Sequence, residues 1–428
     1  MTTLDIHRQI EAVWRIESAK IIATVARIVG DIGLAEDLAQ DALVVALEKW
    51  PATGVPDNPA AWLTATAKHR AIDAVRRNVT LESKVEVLRY DLEIRQPADR
   101  ADPDITPADD ITDDLLRLIF TACHPVLSTE ARVALTLRLL GGLSTGEIAR
   151  AFLATESAIA QRIVRAKRTL AEARVPFEVP YGPERAARLS SVLEVIYLIF
   201  NEGYTATAGD DWVRPSLCEE ALRLGRILAE LVPGEPEVHG LVALMEIQAS
   251  RIRARIGPRG EPILLMDQNR ARWDQLLIRR GLAALERAER LGGARGPYAL
   301  QAAIAACHAR ARSPEETDWE QIAALYDALA ELAPSPVVEL NRAVAVAMAY
   351  GPAAGLEIVD ELASEPSLGH YHLLPAVRGD LLVRLGRLDE ARVEFERAAE
   401  LTQNARERDL LLDRSRAIGE AANGPEST

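Results

Sequence analysis

An all-α chain is the fold class that this sequence predicts, on three observations. Ala, Leu, Arg and Glu recur with helical spacing almost throughout the 428 residues. The 48% apolar and 27% charged content is that of a globular, ordered protein. The segment GLSTGEIARAFLATESAIAQRIVRAKRTL at 142–170 also reads as two short helices joined by a turn. A chain of this length exceeds one hydrophobic core, so several domains are expected.

The elements follow in order. A helical segment over about 34–50 carries Leu38, Leu43, Val44, Leu47 and Trp50, and Pro51, Gly54 and Pro56 are expected to end it. After a loop of about eight residues, Asn58 offers a cap and Pro59 a first helical residue whose missing N–H costs nothing. The helix starting there is expected to reach about Arg77, burying Trp62, Leu63, Ala67 and Ile72. Residues 91–110, rich in Pro and Asp, read as an acidic, flexible linker. Thr112 is placed to open the next helix and Ser128 another. Ser144 and Glu147 have the spacing of a capping box, starting a helix that turns Ile148, Ala149 and Phe152 inward. Thr155 caps the last of the set, with Ile159, Ile163, Val164 and Leu170 as its apolar stripe.

The opposite face of that helix carries Gln161, Arg162, Arg165 and Arg168. A helix-turn-helix lays such a helix in the DNA major groove, its early residues near base edges and its later cations on phosphates. The net charge of −14 argues against nucleic acid, but local counts reverse this. Residues 156–174 balance at +3, as do 60–90, where the cations are Lys68, Arg70, Arg76, Arg77, Lys84 and Arg89. Residues 91–114 between them balance at −7.

After Pro176 no further basic stripe is read, and Ala- and Leu-rich helices are broken at Pro233, Gly257, Gly292, Pro314, Pro334, Gly351 and Gly386. Gly379, Gly386, Ala391, Phe395 and Ala398 keep the spacing of a tetratricopeptide (TPR) hairpin, whereas the preceding register matches only at Gly351 and Ala363.

Several residues invite a functional reading that the pattern does not support. Trp50 and Trp62 sit on apolar stripes and read as core, and Asp73 as an ion-pair partner of a nearby arginine. Cys123, Cys218 and Cys307 lack paired spacing, and Cys123 beside His124 has no further ligands, so neither a metal nor a disulfide is expected. Glu202, Asp210 and Asp211 are accounted for by loop solvation and capping; no nucleophile or phosphate-binding loop accompanies them, and no enzymatic activity or cofactor is expected. The N-terminus lacks a signal pattern and the apolar runs are too short to span a bilayer, which favours a cytoplasmic location without membrane attachment.

Taken together, GDIGLAEDLAQDALVVALEKW, the loop, NPAAWLTATAKHRAIDAVRR, the acidic linker and the helix-turn-helix resemble RNA polymerase sigma factors of the extracytoplasmic-function (ECF) group in the sigma-70 family. The remainder is similar to the subgroup with a TPR-like C-terminal extension, of which NEGYTATAGDD at 201–211 is typical. The resemblance implies a sigma region 2-like domain at 1–90, the linker at 91–110, a region 4-like domain at 111–175, a helical connecting domain at 176–290 and TPR-like repeats at 291–428. It implies a protein that binds core RNA polymerase through the clamp coiled coil and the flap, recognises two promoter elements and melts DNA. Asp37, Gln40 and Asp41 match the clamp-docking positions. The loop Pro51 to Asp57 matches the one that captures a base flipped from the minus-ten element. Lys68, His69, Arg70, Arg76 and Arg77 would hold that strand, and residues 156–168, with Ser157, Gln161, Arg162, Arg165 and Arg168, would face the minus-thirty-five element and its phosphates. His69 stands where the family often has Asn, and Ala160 where it often has a basic residue. The extension would take the place of a separate anti-sigma protein, with a DGPF-type protein as its suspected partner. Without the resemblance, a helix-turn-helix regulator with a ligand- or partner-sensing tail also fits the residues.

Overall fold

The computed structural model describes the backbone of residues 3–90, 108–152 and 154–422, and the side chains of 6–77, 114–152 and 154–419. The expected linker lies outside the described residues up to 107, as do the side chains of Lys84 and Arg89. Apart from one pair of two-residue strands and an isolated bridge, regular structure among the described residues is helical, as an all-α chain requires. The chain divides into two compact units, 1–196 and 197–428.

The first unit opens with α1 (Thr3–Val29), α2 (Ile32–Thr53) and α3 (Pro59–Tyr90), which pack on one another. Asp31 caps α2 by accepting from the Leu34 N–H at 2.7 Å. Pro51 does not end α2. In the last turn it removes a single backbone bond, so the helix runs on to Thr53 and Gly54, at φ 84°, closes it on the Trp50 carbonyl. Asn58 caps α3 through the Ala61 N–H, and α3 continues to Tyr90, beyond the expected end at Arg77. Trp50 is buried and meets the half-buried Trp62 edge to face at 5.3 Å. Ala71 is buried and Ile72 only half so, because Ala71 is the residue four after Ala67 on the same face.

Next come α4 (Ala108–Ala122), which starts four residues before Thr112, and α5 (Thr129–Leu139), capped by Ser128. The helix-turn-helix follows as α6 (Thr145–Ala151), with both arms of the Ser144–Glu147 capping box formed, and α7 (Glu156–Glu172), capped by Thr155. The buried stripe of α7 is Ile159, Ile163, Ala166 and Leu170. Val164 is 64% exposed, which corrects its expected place in that stripe: spacings of four, three and four keep one face, and Val164 falls off it. Phe152 is half-buried.

A further helix, α8 (Gly182–Tyr204), locks onto α4 and α5. Arg188 donates to the Phe120 carbonyl at 3.0 Å, Ser191 to the Cys123 carbonyl at 2.8 Å, and Arg132 pairs with Glu194 at 3.0 Å.

The second unit stacks α9 (Pro215–Leu231), α10 (Pro236–Ala249), α11 (Gln275–Arg290), α12 (Pro297–Arg310), α13 (Trp319–Leu332), α14 (Pro336–Tyr350), α15 (Pro352–Leu362), α16 (Leu373–Arg384), α17 (Leu388–Leu401) and α18 (Ala405–Ala422). Successive members pack as antiparallel hairpins, the TPR-like architecture. In the α16–α17 hairpin a Cβ on Gly379 would lie 3.0 Å from the Phe395 ring, so glycine there lets the helices cross closely. Gly386 turns the hairpin at φ 74°. At its far end the stack is tied back to its start: Ala208–Gly209 pairs in parallel with Gln403–Asn404. Asn404, fully buried, donates to the Ala206 and Asp211 carbonyls and accepts from the N–H groups of Arg406 and Glu407.

Candidate polymerase and nucleic-acid interface

The three residues matched to clamp docking lie on α2, and each is engaged. Asp37 is exposed, with Lys167 of α7 at 3.7 Å; Gln40 donates to Glu36 at 2.5 Å; Asp41 pairs with Arg70 of α3 at 2.8 Å. Beside them lies a residue that sequence reasoning missed. Glu36 is 2% exposed and takes Arg138 of α5 on one oxygen at 2.6 Å and Lys167 on the other at 2.5 Å. Nothing local in the sequence marks this site, since Arg138 stands 102 positions away.

Two further ion pairs join the same halves of the unit. Arg27 of α1 reaches the buried Asp114 of α4 at 3.0 Å, and Arg15 reaches Glu147 of α6 at 2.9 Å. Gly142 fits against the Arg15 backbone, where a Cβ would come within 3.2 Å of the Ser18 hydroxyl. Between α1, α2 and α6 runs a cleft with Trp14, Gln40, Leu43 and Val44 on one side and Ser144, Glu147 and Arg150 on the other. Of the three docking residues, Gln40 lines this cleft.

On α3, Lys68 and Arg70 are half-buried and His69, Arg76 and Arg77 exposed. The preceding loop is solvent-facing, with Gly54, Asp57 and Asn58 exposed. Arg70 is brought onto a docking residue, Asp41. On α7, Ser157, Gln161, Arg165 and Arg168 are exposed and Arg162 half so, and with the exposed Val164 among them they form the solvent face opposite the buried stripe. Thr145 donates to Glu156 at 2.9 Å, tying the starts of α6 and α7. The Ser144 backbone N–H, donating to Glu147, holds that carboxylate below its ordinary range.

Beside α4, burial pushes the Cys123 thiol up to about 11 and draws His124 down, leaving a protonated thiol. Among the described residues no group of three or more His, Cys, Asp or Glu side chains is placed to hold a metal ion. Nor is any described helix long and apolar enough to cross a membrane.

The absence of a basic stripe after Pro176 needs correction. Residues 251–280 hold eight arginines, no lysine and three acids. They were missed because they run through a loop, short 3-10 turns and the start of α11, where no helical period displays them.

Comparison with known families agrees with this arrangement. Sigma-70 region 2 matches residues 16–80, and sigma-70 region 4 matches 117–170, in the same order as the two halves of the first unit. The first unit thus carries matches to both of these sigma-70 regions. Residues 188–289 match a family of unknown function, DUF6596. An uncharacterized protein of Rhizobium meliloti is 47% identical over 381 residues, 88% of each chain. A probable ECF RNA polymerase sigma factor, SigI of Mycobacterium tuberculosis, is 25% identical over 268 residues, 58% of this chain and 90% of that protein. The crystal structure of yeast Tom70 aligns at a TM-score of 0.31 and 11% identity over 98% of this chain and 86% of Tom70, a score too low to bear on the fold. The region 2 match runs from within α1 to within α3, and the region 4 match from within α4 to within α7.

Proposed function

We propose that this protein is an ECF-type sigma factor without catalytic activity of its own, acting in the cytoplasm. It docks on the clamp coiled coil of core RNA polymerase through Asp37, Gln40 and Asp41. The loop after α2 and Lys68, His69, Arg70, Arg76 and Arg77 take the minus-ten strand. Ser157, Gln161 and Arg162 face the minus-thirty-five element from α7, with Arg165 and Arg168 on its phosphates. The observation that carries this reading is the presence, in one chain and in this order, of region 2 and a capped helix-turn-helix region 4 whose polar face is open.

Size adds a mechanical requirement. A body of about 200 residues has a radius of gyration of roughly 16 Å, so it is about 40 Å across. Two elements roughly 25 base pairs apart are separated by about 85 Å along the duplex. Regions 2 and 4, packed together, are too close to engage both. The packed unit is therefore a resting form, and promoter binding requires the Glu36, Asp114 and Glu147 ion pairs to part. In this reading Lys167 of region 4 and the clamp compete for the same face of α2.

The C-terminal extension regulates activity, with a DGPF-type protein as a candidate partner. Deleting the extension should change promoter activity while clamp binding is kept. The cut belongs after Ile196 rather than after Arg174, because Arg188, Ser191 and Glu194 hold α8 to α4 and α5. The test of the whole reading is transcription by purified core enzyme with and without this protein on a genomic promoter library. Discrete start sites that appear only with the protein support it. Stable operator binding without polymerase, and no retention of a clamp fragment, would instead favour a simple regulator.

A further inference from the structure

In a chain of net charge −14, the thirty residues 251–280 balance at +5. Two of their arginines, Arg253 and Arg272, are exposed and line one open groove, and their guanidinium groups make no hydrogen bond or ion pair among the described residues. The groove also has Ile252, Ile256, Gly257 and Trp273 in its lining. The carboxylates nearest in sequence are already committed to backbone N–H groups: Asp274 caps α11 through Leu276 and Leu277, and Glu261 accepts from Arg259. Neither carboxylate pairs with Arg253 or Arg272, although Asp274 lines the same groove and keeps its charge.

More positive charge lies against the same tryptophan. Arg251 and Arg270 hold their guanidinium groups 5.6 and 4.9 Å from the Trp273 ring centre, and Arg255 stacks over Tyr204 at 3.7 Å. All three donate to neutral acceptors: Arg251 to the Tyr204 hydroxyl, Arg255 to Thr205, and Arg270 to the His308 and Ala311 carbonyls at the end of α12, while the Nε atoms of Arg255 and Arg270 have no hydrogen-bond partner among the described residues. Those bonds explain how the guanidinium groups are tolerated inside the fold, but they do not cancel the charge. His308 registers the result: burial first, then Arg251 and Arg270, pushes its pKa down to about 3. Fixed charges beside low-dielectric walls focus a positive potential into an adjoining groove.

We propose that this groove is a further nucleic-acid contact, in which Arg253 and Arg272 grip the phosphodiester backbone of duplex DNA. Guanidinium forks match phosphate oxygens, and exposed Arg259 and Arg279 stand within seven residues of the groove's arginines in sequence. The choice of DNA over another polyanion rests on the sigma-factor reading, which brings this unit to a promoter at high local concentration.

The test uses the full chain and a duplex of non-promoter sequence labelled for fluorescence anisotropy, titrated from about 50 to 200 mM salt. Removing two phosphate contacts in R253Q/R272Q should reduce the log–log salt slope by about 1.8, so binding becomes roughly tenfold less salt-sensitive over that range. R253K/R272K should keep the wild-type slope, and unchanged thermal melts exclude misfolding. An unchanged slope in R253Q/R272Q, or no wild-type binding at about 50 mM salt, overturns the proposal. Loss of polyglutamate binding with DNA binding untouched also overturns it, assigning the groove to an acidic protein. A parallel R165Q/R168Q variant separates the two readings: if it binds like wild type while R253Q/R272Q does not, the α7 assignment fails and the groove stands.

Discussion

Replacing Arg138 and Lys167 together by Met would leave Glu36 in the packed first unit with Gln40 as its remaining hydrogen-bond partner. Breaking a buried ion pair from one side costs about 3–5 kcal/mol, because the other charge stays desolvated. Arg138 and Lys167 are 23% and 19% exposed, so water already screens part of the attraction and the lower bound, about 3 kcal/mol, applies. In the open form Glu36 is hydrated whether or not the cations are present, so the loss falls on the closed form alone. The closed-to-open ratio then drops roughly 150-fold. Two readouts follow: energy transfer between dyes on α2 and α7, and affinity for a clamp coiled-coil fragment. Transfer should fall, and clamp affinity should rise at least tenfold, because apparent affinity scales with the open fraction. The substitutions leave every α2 side chain untouched, so a gain in clamp binding cannot come from a new contact there. If both readouts stay within about threefold of wild type, the Glu36 cluster does not hold the two regions together.

Three further outcomes are expected. R165A or R168A should weaken minus-thirty-five binding at every sequence and lower its salt slope by about 0.9 each, whereas changing Gln161 or Arg162 should alter preference among sequences; uniform behaviour of all four would mean that the reading face is misassigned. Asn404→Ala removes four hydrogen bonds inside the fold and leaves the Ala206 and Asp211 carbonyls unpaired, for a loss of about 3 kcal/mol or more, seen as faster amide exchange over 206–211 and a lower melting temperature. Ser144→Ala should cost about 1 kcal/mol through the lost cap. Since the folded state holds Glu147 below its ordinary range, that carboxylate's contribution is present above the unfolded pKa and disappears as pH falls through the folded one. The gap between wild type and Glu147→Gln in denaturant midpoint should therefore narrow on acidification, and a pH-independent gap would rule out the capping carboxylate as its source.

Local chemistry made much of the fold legible. Asn58 and Pro59, Ser144 with Glu147, and Thr155 act within four residues of where they stand, and each starts the helix expected of it. Gly379 and Phe395 were likewise readable as a close helix crossing. What stayed hidden depends on register or distance. Val164 leaves the apolar stripe by a rotation that a list of apolar residues does not reveal, and α2 passes through Pro51 because a last-turn proline removes little. The site shows the same division: the exposed face of α7 follows from periodicity, whereas the pairing of Glu36 with Arg138 and Lys167 requires knowing how regions 2 and 4 pack. The arginines of 251–280 show no helical period, because they run through a loop, short 3-10 turns and the start of α11.

The account stands most directly on run-off transcription with purified core RNA polymerase, folded full-length protein and a genomic promoter library. It predicts transcripts from discrete start sites that vanish when the protein is omitted and that weaken when Arg165 and Arg168 are neutralised. The same transcripts with and without the protein, together with no retention of it by core polymerase, would contradict it.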